Sequence, residues 1–162
     1  MSEPPRLSQI QLPWELAIIY FITLCVKGRR RVLANPEVFE AIEATVAQLE
    51  RWRVLAGVVT PDHAHFVITP TEDRGLSAGD FGTGFKRLMR KALGSQAWDW
   101  QRGCFDRPLR SDEDLHNKWI YLEQNPVRAG LVHNVSQWPY YLGSTAEQGS
   151  WQLPLQKDSS RK

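Results

Sequence analysis

The chain has 162 residues, 42% of them hydrophobic and 23% charged, and its formal net charge is +2. This length favours one main domain with a single core and leaves too little chain for two. The longest apolar run, residues 16–26, is shorter than the roughly 20 residues of a membrane span, and no signal-peptide pattern precedes it, so we expect a cytoplasmic protein.

Strand-like and helix-like segments alternate along the chain. Strand-like segments are rich in β-branched and aromatic residues, whereas helix-like segments repeat apolar residues every three to four positions. In chain order, the predicted elements are a strand at 18–26, a helix at 36–50, strands at 52–59 and 64–69, a helix at about 80–93 and a strand region at 98–109. This β-α-β-β-α-β order predicts an α+β, ferredoxin-like antiparallel sheet with helices on one face.

A further helix is predicted after this sheet. Ser111, followed three residues later by Asp114, has the pattern of a capping box, and apolar residues at helical spacing then give the helix one buried face. Tyr121 and Asn125 lie one turn apart on a different face, about 40° from each other, so they can contribute to one site. Alternatively, Tyr121 packs in the core and Asn125 caps a short helix that begins at Pro126.

Two histidines, His63 and His65, stand one residue apart beside the third predicted strand. Side chains two residues apart on a strand point to the same face of the sheet, so both imidazoles can reach one metal ion. The same spacing also occurs in histidines that only pack in a core. The pair therefore supplies half of a metal site, and other residues must complete it.

Basic residues cluster in two segments although the net charge is small. One cluster follows the first predicted strand, and the other lies on the second predicted helix, where we expect its members to face outward. Such clusters can neutralise the phosphates of nucleic acid and release counterions, or they can be solvated surface. The candidate DNA-binding residues are Lys27, Arg29, Arg30, Arg31, Lys86, Arg87, Arg90 and Lys91.

Three segments together resemble the REP-associated tyrosine transposases, a group of single-tyrosine transposases within the HUH endonucleases. They are His63-Ala64-His65, residues 100–106 (WQRGCFD) and residues 121–132 (YLEQNPVRAGLV). The resemblance extends over about residues 20–141. We expect a flexible arm at 1–13, a transposase domain at 14–142 that ends with the extra helix, and a flexible polar tail at 143–162.

The resemblance implies a site and a reaction. By the family pattern, His63, His65 and Asn125 would bind a divalent ion, Mg²⁺ or Mn²⁺, and Tyr121 would be the nucleophile. Asparagine stands where many relatives carry glutamine. The implied reaction cleaves and rejoins single-stranded DNA near hairpins of a repeated palindrome through a covalent 5′-phosphotyrosine. A dication suits this chemistry because cleavage of a phosphodiester needs in-line positioning and neutralisation of charge on the phosphate oxygens.

Other functions and assemblies stay open at this point. A non-catalytic, ferredoxin-like nucleic-acid-binding module would use the same sheet and basic clusters, with both histidines as ordinary polar contacts. A replication-initiating nickase shares the histidine pair but usually belongs to a longer chain. A domesticated transposase would have the same motifs. The resemblance implies a nucleoid-associated protein of bacterial type, and either a monomer or a homodimer fits the sequence.

Overall fold

The computed structural model describes residues 17–143 of the chain. Its helices and strands are β1 (Ile19–Cys25), α1 (Pro36–Gln48), β2 (Trp52–Val59), β3 (His63–Pro70), α2 (Ala78–Leu93), β4 (Phe105–Leu109), α3 (Asp112–Arg128) and β5 (Tyr141–Leu142). The strands form one antiparallel sheet in the order β4-β1-β3-β2-β5. The predicted ferredoxin-like fold is therefore confirmed, with α3 as the predicted additional helix.

The first two helices begin at the caps that their sequences encode. The Asn35 side chain accepts a hydrogen bond from the Val38 backbone N–H at 3.0 Å, and Pro36 occupies the first helical position. At α2, Ser77 and Asp80 form a reciprocal capping box, which starts the helix at residue 78. These caps fix where each helix crosses the sheet.

The third helix departs from its sequence prediction at both ends. The Ser111 hydroxyl accepts from the Asp114 N–H, but the Asp114 carboxylate accepts from the Arg110 N–H, so the predicted capping box is only half formed. The helix continues through Pro126 to Arg128. The alternative in which Asn125 caps a short helix is therefore wrong. Pro126 has no backbone N–H, so this last turn of α3 forms without a hydrogen bond to the Leu122 carbonyl.

The two faces of the sheet are covered differently. Helices α1 and α2 cover one face with a continuous apolar core whose largest buried side chains are Phe66, Phe81, Phe85, Ile22, Leu24, Leu33, Ile42, Ile68 and Met89. On the other face, Trp119 and Leu122 of α3 belong to a second apolar cluster, which includes Phe21 of β1, Val58 of β2 and Val67 of β3. Further along the same face of β1 and β3 stand Thr23 and His65, which leaves a polar strip beside α3.

Several boundaries differ from the predicted ones. The predicted strand region at 98–109 is mostly loop, because only β4 and a single bridge between Trp100 and Val26 pair with the sheet. No helix within residues 17–143 is both long and apolar enough to cross a membrane. The predicted arm at 1–13 lies outside the described residues, as does the predicted tail except for its first residue, Gly143.

Candidate active site

A cleft of about 450 Å³ opens between β3 and the C-terminal half of α3. The structure brings together in it all four residues that the sequence proposed for catalysis and metal binding, His63, His65, Tyr121 and Asn125. The other residues that line it are Thr23, Cys25, Arg29, Phe105, Arg128 and Ala129. This convergence shows that the four side chains share one site, whereas their chemical roles stay predictions.

The strands and the helix position the aromatic rings of this cleft against one another. The His63 and His65 rings lie 4.6 Å apart between centroids, since both side chains project from the same face of β3. The Tyr121 ring lies 5.5 Å from the His65 ring and 5.9 Å from the Phe21 ring, in edge-on arrangements. Phe21 thus supports the Tyr121 ring on the sheet beside the histidine pair.

His65 is a buried neutral imidazole with one free nitrogen. Its Nδ1 lies 2.7 Å from the Thr23 hydroxyl, which stands opposite it on β1. Burial lowers the pKa of His65 to about 3, and the nearby His63, Lys118 and Arg29 side chains act in the same direction. Its Nε2 is buried and has no hydrogen-bond partner among the described residues. When the proton is on Nδ1, the Nε2 atom keeps a lone pair that can bind a ligand.

His63 is oriented by a carboxylate that is itself held by an arginine. Its Nδ1 lies 2.7 Å from Asp62 Oδ1, and Asp62 Oδ2 accepts from Arg29 Nε at 3.0 Å. Burial acts to raise the pKa of Asp62, but the hydrogen bonds and charges of His63 and Arg29 lower it overall. Because a carboxylate only accepts, this contact favours the tautomer with the His63 proton on Nδ1 and the lone pair on Nε2, which lies 3.4 Å from the Thr60 hydroxyl.

The donors in the cleft fit a divalent cation. Within residues 17–143, no group of three or more His, Cys, Asp or Glu side chains is placed to hold a metal. The amide oxygen of Asn125 is a further donor in the same cleft, beside the two imidazoles. The unpartnered Nε2 of His65 is the observation that favours an ion over simple core packing. Mixed nitrogen and oxygen ligands suit ions such as Mn²⁺.

Two cationic side chains flank the Tyr121 ring. Lys118 Nζ lies 5.0 Å from its centroid, and the Arg128 guanidinium lies 5.7 Å from it. Both come from α3, three residues before and seven residues after the tyrosine, so they share its helical face. Helical spacing could have identified both from the sequence, but neither was assigned to the site. Their charges can neutralise a phosphate group close to the phenol.

The sequence and the fold of the chain are similar to those of known proteins. No family model matches the chain. One curated relative, from Haemophilus influenzae, is named "Putative REP-associated tyrosine transposase"; it is 26% identical, and the match covers 75% of this chain and 77% of the relative. The REP-associated tyrosine transposase of Escherichia coli is also 26% identical, with 75% and 73% coverage. The chain is thus similar to the REP-associated tyrosine transposases.

A solved structure extends this similarity to the fold. The structure of a REP-associated tyrosine transposase bound to a REP hairpin superposes with a TM-score of 0.68 at 26% identity, and the match covers 87% of this chain and 82% of that one. The resemblance inferred from the motifs of the sequence is thereby confirmed.

Lys86 is the one predicted DNA-binding residue whose side chain is buried. It is 7% exposed, and its ammonium donates hydrogen bonds to the carbonyls of Gln101, at 2.7 Å, and of Gly103. Burial lowers the pKa of Lys86. The predicted outward orientation of this side chain is therefore wrong, because the loop at 101–103 supplies acceptors that a helical pattern does not reveal.

The other predicted basic residues are exposed. Arg30 donates to the Ala97 carbonyl at 2.6 Å, and Arg90 pairs with Asp99 at 3.0 Å. Arg29 joins the cleft through Asp62, with 55% of its side chain exposed. The remaining members are Lys27, Arg31, Arg87 and Lys91. The structure thus concentrates positive charge around α2 and the end of β1, and contact with DNA stays a prediction for these seven residues.

Proposed function

We propose that this chain is a transposase-type enzyme that cleaves and rejoins single-stranded DNA beside hairpin repeats, with Tyr121 as the nucleophile. The observation that carries the proposal is the shared cleft, in which Tyr121 and Asn125 from α3 meet His63 and His65 from β3. Two relatives named as REP-associated tyrosine transposases, and a similar structure bound to a REP hairpin, support the substrate class.

The proposed reaction exchanges one phosphodiester for another. The Tyr121 phenol loses its proton, its oxygen forms a bond to phosphorus, and the bond from phosphorus to the 3′ oxygen breaks; that oxygen takes up a proton as a free 3′-hydroxyl. The 5′ end stays on the protein as a phosphotyrosine. Because a phenolate is a better leaving group than an alkoxide, an incoming 3′-hydroxyl can reverse the step without an external energy source.

His63, His65 and Asn125 would hold the divalent ion. When bound, such an ion supplies positive charge against the phosphate oxygens. Thr23 and Asp62 each contact the Nδ1 of one histidine, so the Nε2 atoms are the nitrogens that would bind the ion. Lys118 and Arg128 add positive charge around the Tyr121 ring. The protein therefore binds, orients and neutralises, and the tyrosine performs the only covalent step.

The decisive experiment is a covalent-adduct assay. A hairpin oligonucleotide with a single-stranded flank is incubated with the protein and Mn²⁺, and denaturing gels are read for a protein band shifted by DNA. We expect the adduct in the wild type and in Tyr140→Phe, a tyrosine outside the cleft that packs on Phe39 and Trp138. Tyr121→Phe and addition of EDTA should each abolish it. An adduct that persists in Tyr121→Phe contradicts the assignment.

Ion binding can be measured without DNA. Calorimetric titration of the wild type with Mn²⁺ should show one site, which His65→Ala should remove and Asn125→Ala should weaken. His116→Ala is the matched control, since this histidine is exposed and lies on the N-terminal half of α3. Equal Mn²⁺ binding in wild type and His65→Ala would remove the metal assignment while leaving the tyrosine chemistry to be judged by the adduct.

The alternative of a non-catalytic binding module gives a different outcome. Such a protein would bind the hairpin oligonucleotide in a gel-shift assay but form no adduct under any ion condition. The His65 Nε2, which has no hydrogen-bond partner in the described part of the chain, argues against that alternative, because buried polar groups of purely structural side chains are generally hydrogen-bonded.

A further inference from the structure

Phe105 is a large hydrophobic side chain that folding leaves open to solvent. It is 62% exposed, and the other exposed large hydrophobic side chain among residues 17–143 is Ile120, at 38%. Phe105 differs from Ile120 because it lines the same cleft as His63, His65 and Tyr121. An aromatic ring that contributes little to the core but borders a cleft rich in positive charge has the properties of a surface on which a base can stack.

The strand register fixes where this ring stands relative to the histidines. Phe105 on β4 lies opposite Thr23 on β1, and Thr23 lies opposite His65 on β3. Residues that oppose one another in an antiparallel sheet share a face, so these three side chains form one row on the face that α3 partly covers. Neighbouring strands are about 4.8 Å apart, which places Phe105 roughly 10 Å from His65.

We propose that Phe105 is a stacking platform for the base of a nucleotide next to the scissile phosphate. This inference rests on the proposed function, in which the phosphate lies between the histidine pair and Tyr121. A phosphate held there leaves a neighbouring base within reach of the other end of the row, where the phenylalanine ring stands. Arg128 lines the cleft on the helix side and can bind the intervening backbone.

The proposal defines the form of DNA that the site accepts. Stacking on a phenylalanine ring needs a base that has left the duplex, and it tolerates any base because every base has an aromatic face. The site would therefore require an unpaired nucleotide beside the cleavage position without specifying its identity. Recognition of sequence would come from other contacts.

The test combines a protein change with a DNA change. Abasic nucleotides are placed one at a time along the single-stranded flank of the hairpin oligonucleotide, and affinity is measured with Tyr121→Phe protein, which cannot react. One abasic position should weaken binding about 5- to 100-fold. Phe105→Ala should weaken binding of intact DNA by a similar factor and be insensitive to that abasic position, while Phe105→Trp should retain affinity.

Control measurements separate stacking from folding and from catalysis. Ile120→Ala removes the other exposed apolar side chain and should bind as the parent does. Thermal unfolding of Phe105→Ala should match the parent, because a largely exposed side chain contributes little to stability. Equal affinity of Phe105→Ala and parent, additive effects of the two changes, or a binding loss explained by a lower melting temperature would overturn the inference. Absence of any Tyr121 adduct would instead count against the proposed function, since the binding assay needs no reaction.

Discussion

The two faces of one sheet are built from the same strands but serve different purposes. On the face covered by α1 and α2, Phe66 and its neighbours are fully buried among apolar side chains. On the α3 face, His65 is buried to a similar degree, yet its Nε2 has no hydrogen-bond partner within residues 17–143. An unsatisfied buried nitrogen costs free energy. The first face stabilises the fold. The second face contains a buried, unsatisfied nitrogen, and a bound ligand can offset the free energy that this nitrogen costs.

Strand alternation is what keeps these two purposes apart. Ala64 and Phe66 point toward α1 and α2, whereas His63 and His65 point toward α3. A register slip of one residue would exchange the two sets, placing imidazoles in the core and a phenylalanine in the cleft. The large aromatic core on the first face therefore fixes the register on which the site depends.

The largest expected effect is on the stability of the first face. Phe81 is fully buried and contacts the rings of Trp52, Phe66 and Phe85. Phe81→Ala should lower the free energy of unfolding by about 3–5 kcal/mol, because it creates a cavity among aromatic rings. His65→Ala, measured in EDTA, should lower the free energy of unfolding by about 1 kcal/mol or less. The loss of the hydrogen bond to Thr23 is offset by removal of the Nε2 atom, which lacks a partner among residues 17–143. Urea unfolding measures both, and equal costs would contradict the division between faces.

Acid should selectively weaken the α3 face. The pKa of His65 is near 3 in the folded protein, because burial disfavours its charged form, against about 6.5 in an unfolded chain. Below pH 6.5 the His65 imidazole binds a proton in the unfolded chain, whereas in the folded protein it stays neutral until the pH approaches 3. The contribution of His65 to the free energy of unfolding is thus complete above that pH. It is lost as the pH falls toward 3, by at most about 1.4 kcal/mol per pH unit.

The measurement is urea unfolding between pH 6 and 4.5 in EDTA. His65→Gln should flatten the decline in stability with falling pH, while His116→Gln, which changes an exposed histidine, should leave it as in the wild type. The lower limit avoids the range in which carboxylates such as Asp62 take up protons, since its pKa is lowered in the folded protein. An unchanged slope in His65→Gln would show that this ring is not buried in its neutral form.

Loss of the Thr23 hydroxyl should lower the affinity for Mn²⁺ more than it lowers the stability of the fold. It lies 2.7 Å from His65 Nδ1 and thereby sets which nitrogen faces the cleft. Thr23→Val should lower Mn²⁺ affinity about 10- to 100-fold, the usual cost of losing a group that orients a ligand. Thr45→Val, which removes a buried hydroxyl bonded to the Met89 sulfur between α1 and α2, is the matched control. Calorimetry that finds equal losses in both variants would assign Thr23 a structural role only.

Sequence periodicity was sufficient for the parts of the site that lie within one element. The spacing of His63 and His65 on a strand and of Tyr121 and Asn125 on a helix each follows from local geometry. The order of elements then predicted the sheet that joins them. The structure agrees on all of these placements because each depends on a pattern contained in a short segment.

Residues whose role depends on a distant partner could not be identified from the sequence. Thr23 reaches His65 through the pairing of β1 with β3, and Phe105 joins the row through the pairing of β4 with β1. A periodic pattern carries no information on such register. The inward orientation of Lys86 depends in the same way on carbonyls 15 and 17 residues later in the chain.

Helix α2 offers the most discriminating test, because substitutions of the adjacent residues Lys86 and Arg87 should change different properties of the protein. Lys86→Met should lower the free energy of unfolding by about 1–3 kcal/mol, since the Gln101 and Gly103 carbonyls lose their donor, and it should leave the salt dependence of DNA binding unchanged. Arg87→Gln, on the exposed side, should leave stability within about 0.5 kcal/mol and reduce the salt slope by about one. The reverse pattern would show that the buried ammonium, rather than the exposed guanidinium, binds phosphate.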